Sequence, residues 1–317
     1  MKQRRAAAYR TEAGTLAGMG HDMMLDQEVT APMTSRTLTV GTVQVTAVCD
    51  VTGDFPAPLE EAFPQVEAAA WEPWRRRHPG AFGGPGRWRL RDWCFVVRGR
   101  DRVVLVDTGV GGPGGPGATW IGVPGRLPEE LAAAGVEPDE VDLVVLTHLH
   151  LDHIGWNLAW EGDRPRPRFP RASYLVQRAD WELFASRPED AREAFDRCVA
   201  PLQALGVAEL LEGDRTLDAE LSLLHTPGHT PGSQSLLVRS GEAAALLWGD
   251  VANHPAQVGE PDWGPGSDVL PEVAKGTRRR LLDRIEAEGM WLAPAHFPEP
   301  FGTVTRVEGA RRWTGRT

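Results

Sequence analysis

The sequence HLHLDH places four side chains that commonly bind metal ions within six residues. The apolar run just before it, residues 141–146, has the length and composition of a strand buried on both faces. Uncompensated polar groups in apolar surroundings cost several kcal/mol, whereas histidine and aspartate are ordinary metal ligands. Neighbouring side chains diverge in a turn that leaves a strand. We therefore expect His148 and His150 to bind one cation and Asp152 and His153 a second.

Three further candidate ligands follow other apolar runs of strand length. Proline and glycine in the sequence TPGHTPG fix a tight turn that directs His229 inward. Asp250 ends the run ALLWGD and is well placed to bridge two cations. His296 ends the run WLAPAH. Because each apolar run presents one ligand at its end, these three residues are predicted to complete the site that begins at His148.

The elements that must position these residues alternate between strands and helices. Period-2 alternation and continuous apolar runs predict strands at 38–48, 93–97, 103–106, 141–146, 173–176, 221–224, 235–238 and 243–248. Helices are expected at 128–134, 179–185, 191–205 and 273–288. Strands that alternate with helices indicate a layered α/β fold.

The domain organisation is predicted from composition along the chain. Residues 1–35 are weakly periodic and mixed in polarity, and we expect them to form a flexible or partner-dependent arm. Residues 36–317 are predicted to form a single domain. Within it, residues 52–90 are rich in proline, glycine and aromatic residues, and we interpret them as an insertion or lid. Four large side chains of this segment either cap the metals or cover the sheet edge: Trp71, Trp74, Phe82 and Trp88.

Bulk composition narrows the class of protein. The formal net charge of −10 argues against a nucleic-acid groove as the working surface. The three cysteines are scattered without a C-x-x-C pair, so neither a thiolate zinc site nor a disulfide framework is indicated. No unbroken apolar segment suits a signal peptide, and no stretch approaches ~20 apolar residues. We expect a cytoplasmic protein with a small-molecule substrate and neither a nucleic-acid nor a membrane partner, while a homodimer stays open.

These motifs resemble those of the metallo-β-lactamase fold superfamily, over residues 38–305. The resemblance rests on H-x-H-x-D-H, the TPGHTPG turn, the Gly-Asp strand end and a late Ala-His. It is nearest to the branch of quorum-quenching lactonases and methyl-parathion-type organophosphate hydrolases, because an AHFP stretch begins at Ala295. The resemblance implies an αββα sandwich with the metals between the sheet edges. The expected fold class is thus α/β, with an aromatic-rich N-terminal insertion.

The resemblance also implies how the ligands divide between two divalent metals. One metal would be bound by His148, His150 and His229, the other by Asp152, His153 and His296, with Asp250 as the bridge. Asp107, in a DTG turn, matches a position that orients ligands. A nitrogen and oxygen ligand set suits zinc, the expected metal, with iron, manganese and cobalt as alternatives. Di-iron members have glutamate at the position of His150, so histidine there favours hydrolysis.

The expected chemistry follows from charge. Two cations ~3.5–4 Å apart bring the pKa of a bridging water down to near 7, so that a hydroxide attacks a carbonyl or phosphoryl centre. Asp152 is the candidate catalytic residue that receives or relays the proton. Trp156 and Asn157, at the predicted start of the next helix, are candidates for walling or bracing the pocket. His254, close in sequence to Asp250, is a candidate for lining it. Core packing is the alternative for these three residues.

The expected function is hydrolysis of a small, fairly apolar ester, lactone or phosphotriester. Cleavage of a thioester, as in glyoxalase II, or of a β-lactam is the alternative among enzymes. A metal-bound binding or sensor protein is the alternative outside them. The acyl-homoserine lactonases use an active-site tyrosine to steady the ring carbonyl. Here the tyrosines are Tyr9, in the arm, and Tyr174, in a predicted strand, so lactonase activity would need another donor.

Overall fold

The structure, a computed structural model, describes residues 35–316. The predicted arm of residues 1–35 therefore lies outside the described residues, apart from its last position. The strands are β1 (Arg36–Val40), β2 (Val43–Asp54), β3 (Arg89–Arg98), β4 (Val103–Val106), β5 (Leu143–Val145), β6 (Leu158–Glu161), β7 (Arg164–Pro167), β8 (Ser173–Gln177), β9 (Ala208–Leu211), β10 (Arg215–Thr216), β11 (Leu221–His225), β12 (Gln234–Ser240), β13 (Ala243–Trp248), β14 (Trp291–Pro294), β15 (Phe301–Val307) and β16 (Ala310–Arg316).

The helices are short except for the last one. They are α1 (Leu59–Ala62), α2 (Glu72–Arg77), α3 (Pro116–Ile121), α4 (Leu127–Ala133), α5 (Arg178–Ala185), α6 (Glu193–Cys198), α7 (Ala200–Ala204), α8 (Ala256–Gly259) and α9 (Pro271–Glu288). Single 3-10 turns lie at Ala68–Trp71, Pro79–Ala81, Pro138–Glu140 and Glu189–Ala191. Across residues 35–316, none of the helices has the length and apolar character needed to cross a membrane.

Most strands belong to two seven-stranded sheets. The first has the order β1-β2-β3-β4-β5-β8-β9, and the second has the order β10-β11-β12-β13-β14-β15-β16. The strands β4, β5, β8 and β9 pair in parallel in the first sheet, as β13 and β14 do in the second. The remaining pair, β6 and β7, forms a separate antiparallel hairpin.

Side chains alternate between the two sides of each strand, so each sheet has an inner and an outer face. The inner faces of the two sheets pack against each other. Val104 and Val106 of β4 share a core cluster with Ala245 and Leu247 of β13. Leu105, which lies between the two valines, instead packs among residues of α4 to α7 on the outer side of the first sheet. Helix α9 covers the outer side of the second sheet. This layering is the predicted αββα sandwich.

The carboxyl ends of parallel strands meet at the same edge of a sheet. In the first sheet β4 leads into Asp107 and β5 leads into His148. In the second sheet β13 leads into Asp250 and β14 leads into His296. The fold therefore brings these four side chains to the place where the edges of the two sheets approach each other.

Two local predictions are wrong. The predicted helix at 191–205 is divided into α6 and α7, because Val199 leaves helical geometry (φ −126°, ψ −52°) and a proline opens the next helix. The predicted helix after Trp156 is the hairpin β6–β7. Its two-residue turn begins with Gly162 at φ +60°, a left-handed conformation that is typical of tight hairpins and that favours glycine.

The aromatic residues of segment 52–90 are largely buried. Trp71, Trp74 and Trp88 belong to a cluster of their own that also contains Val110 and Ala256. The indole of Trp71 lies edge-on to the imidazole of His254, with ring centroids 5.1 Å apart. This segment therefore packs against the chain that follows Asp250.

Candidate metal centre

Three imidazoles and one carboxylate oxygen converge at the end of β5. His150 Nδ1 lies 3.0 Å from His148 Nε2 and 2.8 Å from His229 Nε2. Asp250 Oδ2 lies 3.2 Å from His229 Nε2 and 3.9 Å from His148 Nε2. Ligands at ~2.0–2.2 Å from one tetrahedral cation are separated by about this distance. We call these four atoms the first donor group.

A second set of donors lies on the other side of Asp250. His153 Nε2 and His296 Nε2 are 3.2 Å apart, and Asp250 Oδ1 lies 3.3 Å from the former and 3.0 Å from the latter. Asp152 approaches the same two nitrogens at 3.8 Å, with one carboxylate oxygen toward each. We call these residues, with Asp250 Oδ1, the second donor group.

Asp250 connects the two groups, because its Oδ2 faces the first and its Oδ1 faces the second. Asn253 donates a hydrogen bond to Oδ2. Oδ1 is buried and has no hydrogen-bond partner among residues 35–316. A buried carboxylate oxygen without a donor is costly, and a shared cation removes that cost. The donor set therefore fits two cations bridged by Asp250.

The protons of three imidazoles are fixed on the nitrogen that points away from the centre. In each case Nδ1 faces an oxygen that only accepts, so Nδ1 carries the proton and Nε2 directs its lone pair inward. The pairs are His153 with Asp107 Oδ2 at 2.8 Å, His229 with Asp268 Oδ1 at 2.9 Å, and His296 with the Arg91 carbonyl at 2.9 Å. Three lone pairs aimed at each other or at a carboxylate require a positive charge between them.

The electrostatics of the site also favour the binding of cations. Burial, reinforced by neighbouring imidazoles, lowers the pKa values of His148 and His150 well below the ordinary value, which keeps both rings neutral and able to bind a cation. Burial by itself would lower the pKa of His296, but Asp250 beside it raises that pKa to about 9. The second donor group thus favours positive charge even though it is buried.

Asp107 holds the beginning of the HLHLDH turn through hydrogen bonds. Its Oδ1 accepts the backbone N–H of Thr147 at 2.7 Å, and its Oδ2 accepts the Thr147 hydroxyl at 2.7 Å. The backbone of Asp107 has φ +60°, a conformation that aspartate tolerates better than most residues. One carboxylate therefore fixes the start of the HLHLDH turn and the tautomer of His153.

The TPGHTPG turn is held by a carboxylate from α5. Asp180 Oδ2 accepts the hydroxyl of Thr230 at 2.8 Å, and Asp180 Oδ1 accepts the backbone N–H of Gly232 at 2.6 Å. A side chain at Gly232 would collide with Asp180, since an added Cβ would lie 2.6 Å from its backbone nitrogen. This close packing sets the position from which His229 reaches the first donor group.

The three predicted pocket residues have different surroundings. Asn157 Oδ1 accepts the Thr108 hydroxyl at 2.9 Å and its amide donates to the Cys198 carbonyl, so it braces the turn after the HLHLDH sequence. The indole of Trp156 donates to Asp50 Oδ1 at 2.9 Å. His254 is fully buried between Trp71 and Phe82. The contacts of His254 thus favour packing, the alternative interpretation.

Two buried carboxylates beside the donor groups were missed by the sequence interpretation. Asp268, in the loop before α9, holds His229. Asp92 lies in β3, and one of its oxygens is within 4.8 Å of a ring nitrogen of His153 and of His296. Its position directly before the apolar run 93–97 of β3 was a signal for Asp92. Nothing in the sequence around Asp268 pairs it with a histidine 39 positions away.

Comparison with known proteins agrees with this geometry. The family model of the Metallo-beta-lactamase superfamily matches residues 87–296 of the chain. The chain is 29% identical to the N-acyl homoserine lactonase AiiA of Bacillus thuringiensis subsp. kurstaki over 209 residues, which are 62% of this chain and 77% of that protein. A second N-acyl homoserine lactonase, from Bacillus sp., is 31% identical over 209 residues with the same coverage of 62% and 77%.

Solved structures show the same fold. AbOPH, a hydrolase in the beta lactamase superfamily, has a TM-score of 0.75 at 23% identity, with 89% of this chain and 97% of that chain covered. AidC, a dizinc quorum-quenching lactonase, has a TM-score of 0.74 at 18% identity, with coverage of 89% and 97%. The chain belongs to the metallo-β-lactamase superfamily. Within it, the chain falls in the lactonase-like branch of metal-dependent hydrolases.

Proposed function

We propose that the chain is a dinuclear metal hydrolase that cleaves a small, fairly apolar ester, lactone or phosphotriester. The observation that carries this proposal is Asp250, whose two oxygens face two separate donor groups. The relatives that are N-acyl homoserine lactonases support a lactone as the first substrate class to test.

The proposed ligand sets follow the two donor groups. His148, His150 and His229 bind one cation, while Asp152, His153 and His296 bind the other, and Asp250 is shared. Zinc is the proposed metal, because the donors are nitrogen and oxygen atoms and because AidC is a dizinc enzyme. Iron, manganese and cobalt also bind nitrogen and oxygen donors and are the alternative metals.

Asp250 and Asp152 have different roles in the proposed reaction. Two bound divalent cations supply a hydroxide nucleophile at neutral pH and polarise the oxygen of the scissile group. Asp250 fixes the separation of the two donor groups. Asp152 retains 7% exposure, and its two oxygens lie 3.8 Å from two different donor nitrogens, which supports the proposal that one of them receives the nucleophile's proton. The same oxygen then gives the proton to the departing alkoxide, which leaves as the alcohol.

Tyrosine does not polarise the substrate carbonyl in the described part of this chain. The side chain of Tyr174 is fully buried, and its hydroxyl donates to the Asn157 carbonyl at 2.9 Å. Burial raises the pKa of Tyr174 far above the ordinary value, which is typical of a structural phenol. The proposed hydrolase therefore relies on its cations, rather than on Tyr174, for the charge that develops on the carbonyl oxygen.

The test combines metal content with a substrate panel. Zinc-loaded protein is assayed against N-acyl homoserine lactones, simple lactones, aryl esters and a phosphotriester, with a thioester and a β-lactam as the other arms. We expect about two metal ions per chain and turnover in the first four arms. Asp250→Ala should reduce that turnover at least about a thousandfold, because it removes the group shared by both cations. The matched control is Asp142→Asn, a carboxylate at the opposite end of β5 that binds the Val103 N–H.

Three results would contradict the proposal. Turnover confined to the thioester or the β-lactam would show that the protein is instead a thioester hydrolase or a β-lactam hydrolase. Tight binding of two metals without turnover of any substrate would indicate a metal-bound sensor. Undiminished activity of Asp250→Ala would remove Asp250 from the site.

A further inference from the structure

Asp92 is a buried carboxylate for which the ligand sets above have no role. Its side chain is fully inaccessible, and neither of its oxygens has a hydrogen-bond partner among residues 35–316. Asp92 lies in β3, opposite Val51 of β2, between Arg91 and the buried apolar run 93–97. An ionised carboxylate left in this state would cost several kcal/mol.

Three other buried aspartates, Asp50, Asp107 and Asp180, have donors for both carboxylate oxygens. Asp50 accepts the backbone N–H groups of Val110 at 2.7 Å and Leu127 at 2.6 Å, and it also accepts the Trp156 indole. Asp107 and Asp180 each accept backbone and hydroxyl donors in the same manner. Within residues 35–316, Asp250 and Asp268 each have one buried oxygen without a hydrogen-bond partner, whereas Asp92 has two.

The surroundings of Asp92 identify what replaces the missing donors. One Asp92 oxygen and one ring nitrogen each of His153 and His296 all lie within 4.8 Å of one another, and all three residues are buried. Ligand atoms on a single cation are separated by up to about 4 Å. A shift of the Asp92 carboxylate of about 1 Å brings it into that range. The next residue toward the N-terminus, Arg91, holds the far nitrogen of His296 through its carbonyl, so β3 is already part of the wall of the site.

We propose that Asp92 is an additional ligand of the second cation, beside Asp152, His153 and His296. The inference rests on the proposed dinuclear site and adds a carboxylate that the sequence motifs do not contain. One cation would then compensate the unpartnered carboxylate of Asp92 and the unpartnered Oδ1 of Asp250 together.

This assignment makes the two sites chemically unequal. The first donor group has three neutral imidazoles and one oxygen of Asp250. The second has two imidazoles, the carboxylates of Asp92 and Asp152, and the other oxygen of Asp250. Carboxylate donors favour harder cations such as manganese, and additional negative charge raises the affinity for any divalent cation. The second site is therefore the tighter one and the one that accepts manganese.

The test compares metal binding by wild type, Asp92→Asn and the control Asp142→Asn, each as the full chain. Metal is removed with a chelator, and Zn²⁺ and Mn²⁺ are titrated separately by calorimetry, with metal content measured afterwards. Asparagine keeps the shape of the side chain and removes its charge. We expect Asp92→Asn to bind one zinc equivalent at least about tenfold more weakly, with the other equivalent changed less than about threefold. We expect Mn²⁺ binding to fall by a larger factor than Zn²⁺ binding.

Unfolding of the metal-free proteins gives a second measurement. Because the Asp92 carboxyl has no hydrogen-bond partner among the described residues when metal is absent, metal-free Asp92→Asn should be about as stable as metal-free wild type, while the stabilisation gained on adding zinc becomes smaller. Asp142→Asn should retain wild-type isotherms for both metals.

Several outcomes would overturn the assignment of Asp92. Wild-type isotherms for both equivalents in Asp92→Asn would show that the carboxyl is neutral and only fills space. Equal loss of stability with and without metal, or failure to fold in both states, would show that it supports the fold. If wild type itself binds fewer than two metals, the proposed dinuclear function fails first, and that result is read from wild type alone.

Discussion

Asp268 connects His229 of the first donor group to the buried side chain of Arg278. Its Oδ1 accepts His229 Nδ1 at 2.9 Å, and its Oδ2 lies 3.5 Å from the guanidinium of Arg278. Both side chains are fully inaccessible. Arg278 also donates to the backbone carbonyls of Val251, Pro261 and Trp263. Replacement of Asp268 by asparagine therefore changes the support of His229, a candidate metal ligand, and a buried ion pair at once.

The two effects have separate magnitudes. Loss of a carboxylate that orients a metal-binding histidine lowers metal affinity by about 10- to 100-fold, which is about 1.4–2.7 kcal/mol. Removal of one partner of a buried ion pair costs about 3–5 kcal/mol of folding stability. The three carbonyls that still hold Arg278 place this case near the lower limit, so we expect metal-free Asp268→Asn to lose about 3 kcal/mol.

The assay measures both quantities in four proteins: wild type, Asp268→Asn, Arg278→Met, and the double variant Asp268→Leu/Arg278→Met. Chemical denaturation without metal gives the free energy of unfolding, and zinc titration gives the affinity. We expect the double variant to be more stable than Asp268→Asn, because no buried charge is left unpaired. Its zinc affinity should stay low, because His229 still lacks its carboxylate.

Two results would refute this reasoning. Zinc affinity of Asp268→Asn within twofold of wild type would show that His229 needs no carboxylate to orient it. A free energy of unfolding of metal-free Asp268→Asn equal to that of wild type would show that the pair with Arg278 is not energetically coupled.

Three further predictions concern the whole molecule. Removing metal with a chelator should lower the free energy of unfolding by about 2.7 kcal/mol for each site previously held at a hundred times its Kd, and added zinc should restore it in thermal melts. Burial raises the pKa values of Cys49 to about 12 and Cys198 to about 11, so a thiol reagent at pH 8 should modify no cysteine until denaturant exposes all three. Trp71→Ala should destabilise the protein by about 3–5 kcal/mol in chemical denaturation, because the indole is 2% exposed within the aromatic cluster.

Much of the fold and the candidate site could be predicted from local patterns. The apolar run at 141–146 predicted a buried strand. The residues of β5 are apolar throughout because the other sheet covers one face of this strand and helices cover the other. The candidate ligands His148, Asp250 and His296 each follow a strand, and strand polarity alone brings the ends of parallel strands to the same edge of a sheet. The predicted α/β sandwich is confirmed by the structure, while the assignment of ligands to two metals stays a prediction.

Local patterns failed where the outcome depended on the path of a loop. The chain after Asn157 has the polarity of an exposed element, but the tight turn at Gly162 makes it a hairpin instead of a helix. His254 is close in sequence to Asp250 and packs edge-on against Trp71, so its role in lining the pocket stays a prediction beside the packing alternative. Proximity along the chain does not fix the direction of a side chain once the backbone leaves a strand.

Residue types and their positions along the chain were enough to identify the candidate ligands, because histidine and aspartate are typical metal ligands and are costly to bury for packing alone. How these side chains are supported depends on the tertiary structure. It brings Asp268 to His229 and Asp92 to His153 and His296, across separations that no local pattern spans. It also turns the two oxygens of Asp250 toward different donors. The capacity to bind a metal is a property of the residue type, whereas charge compensation depends on neighbours in three dimensions.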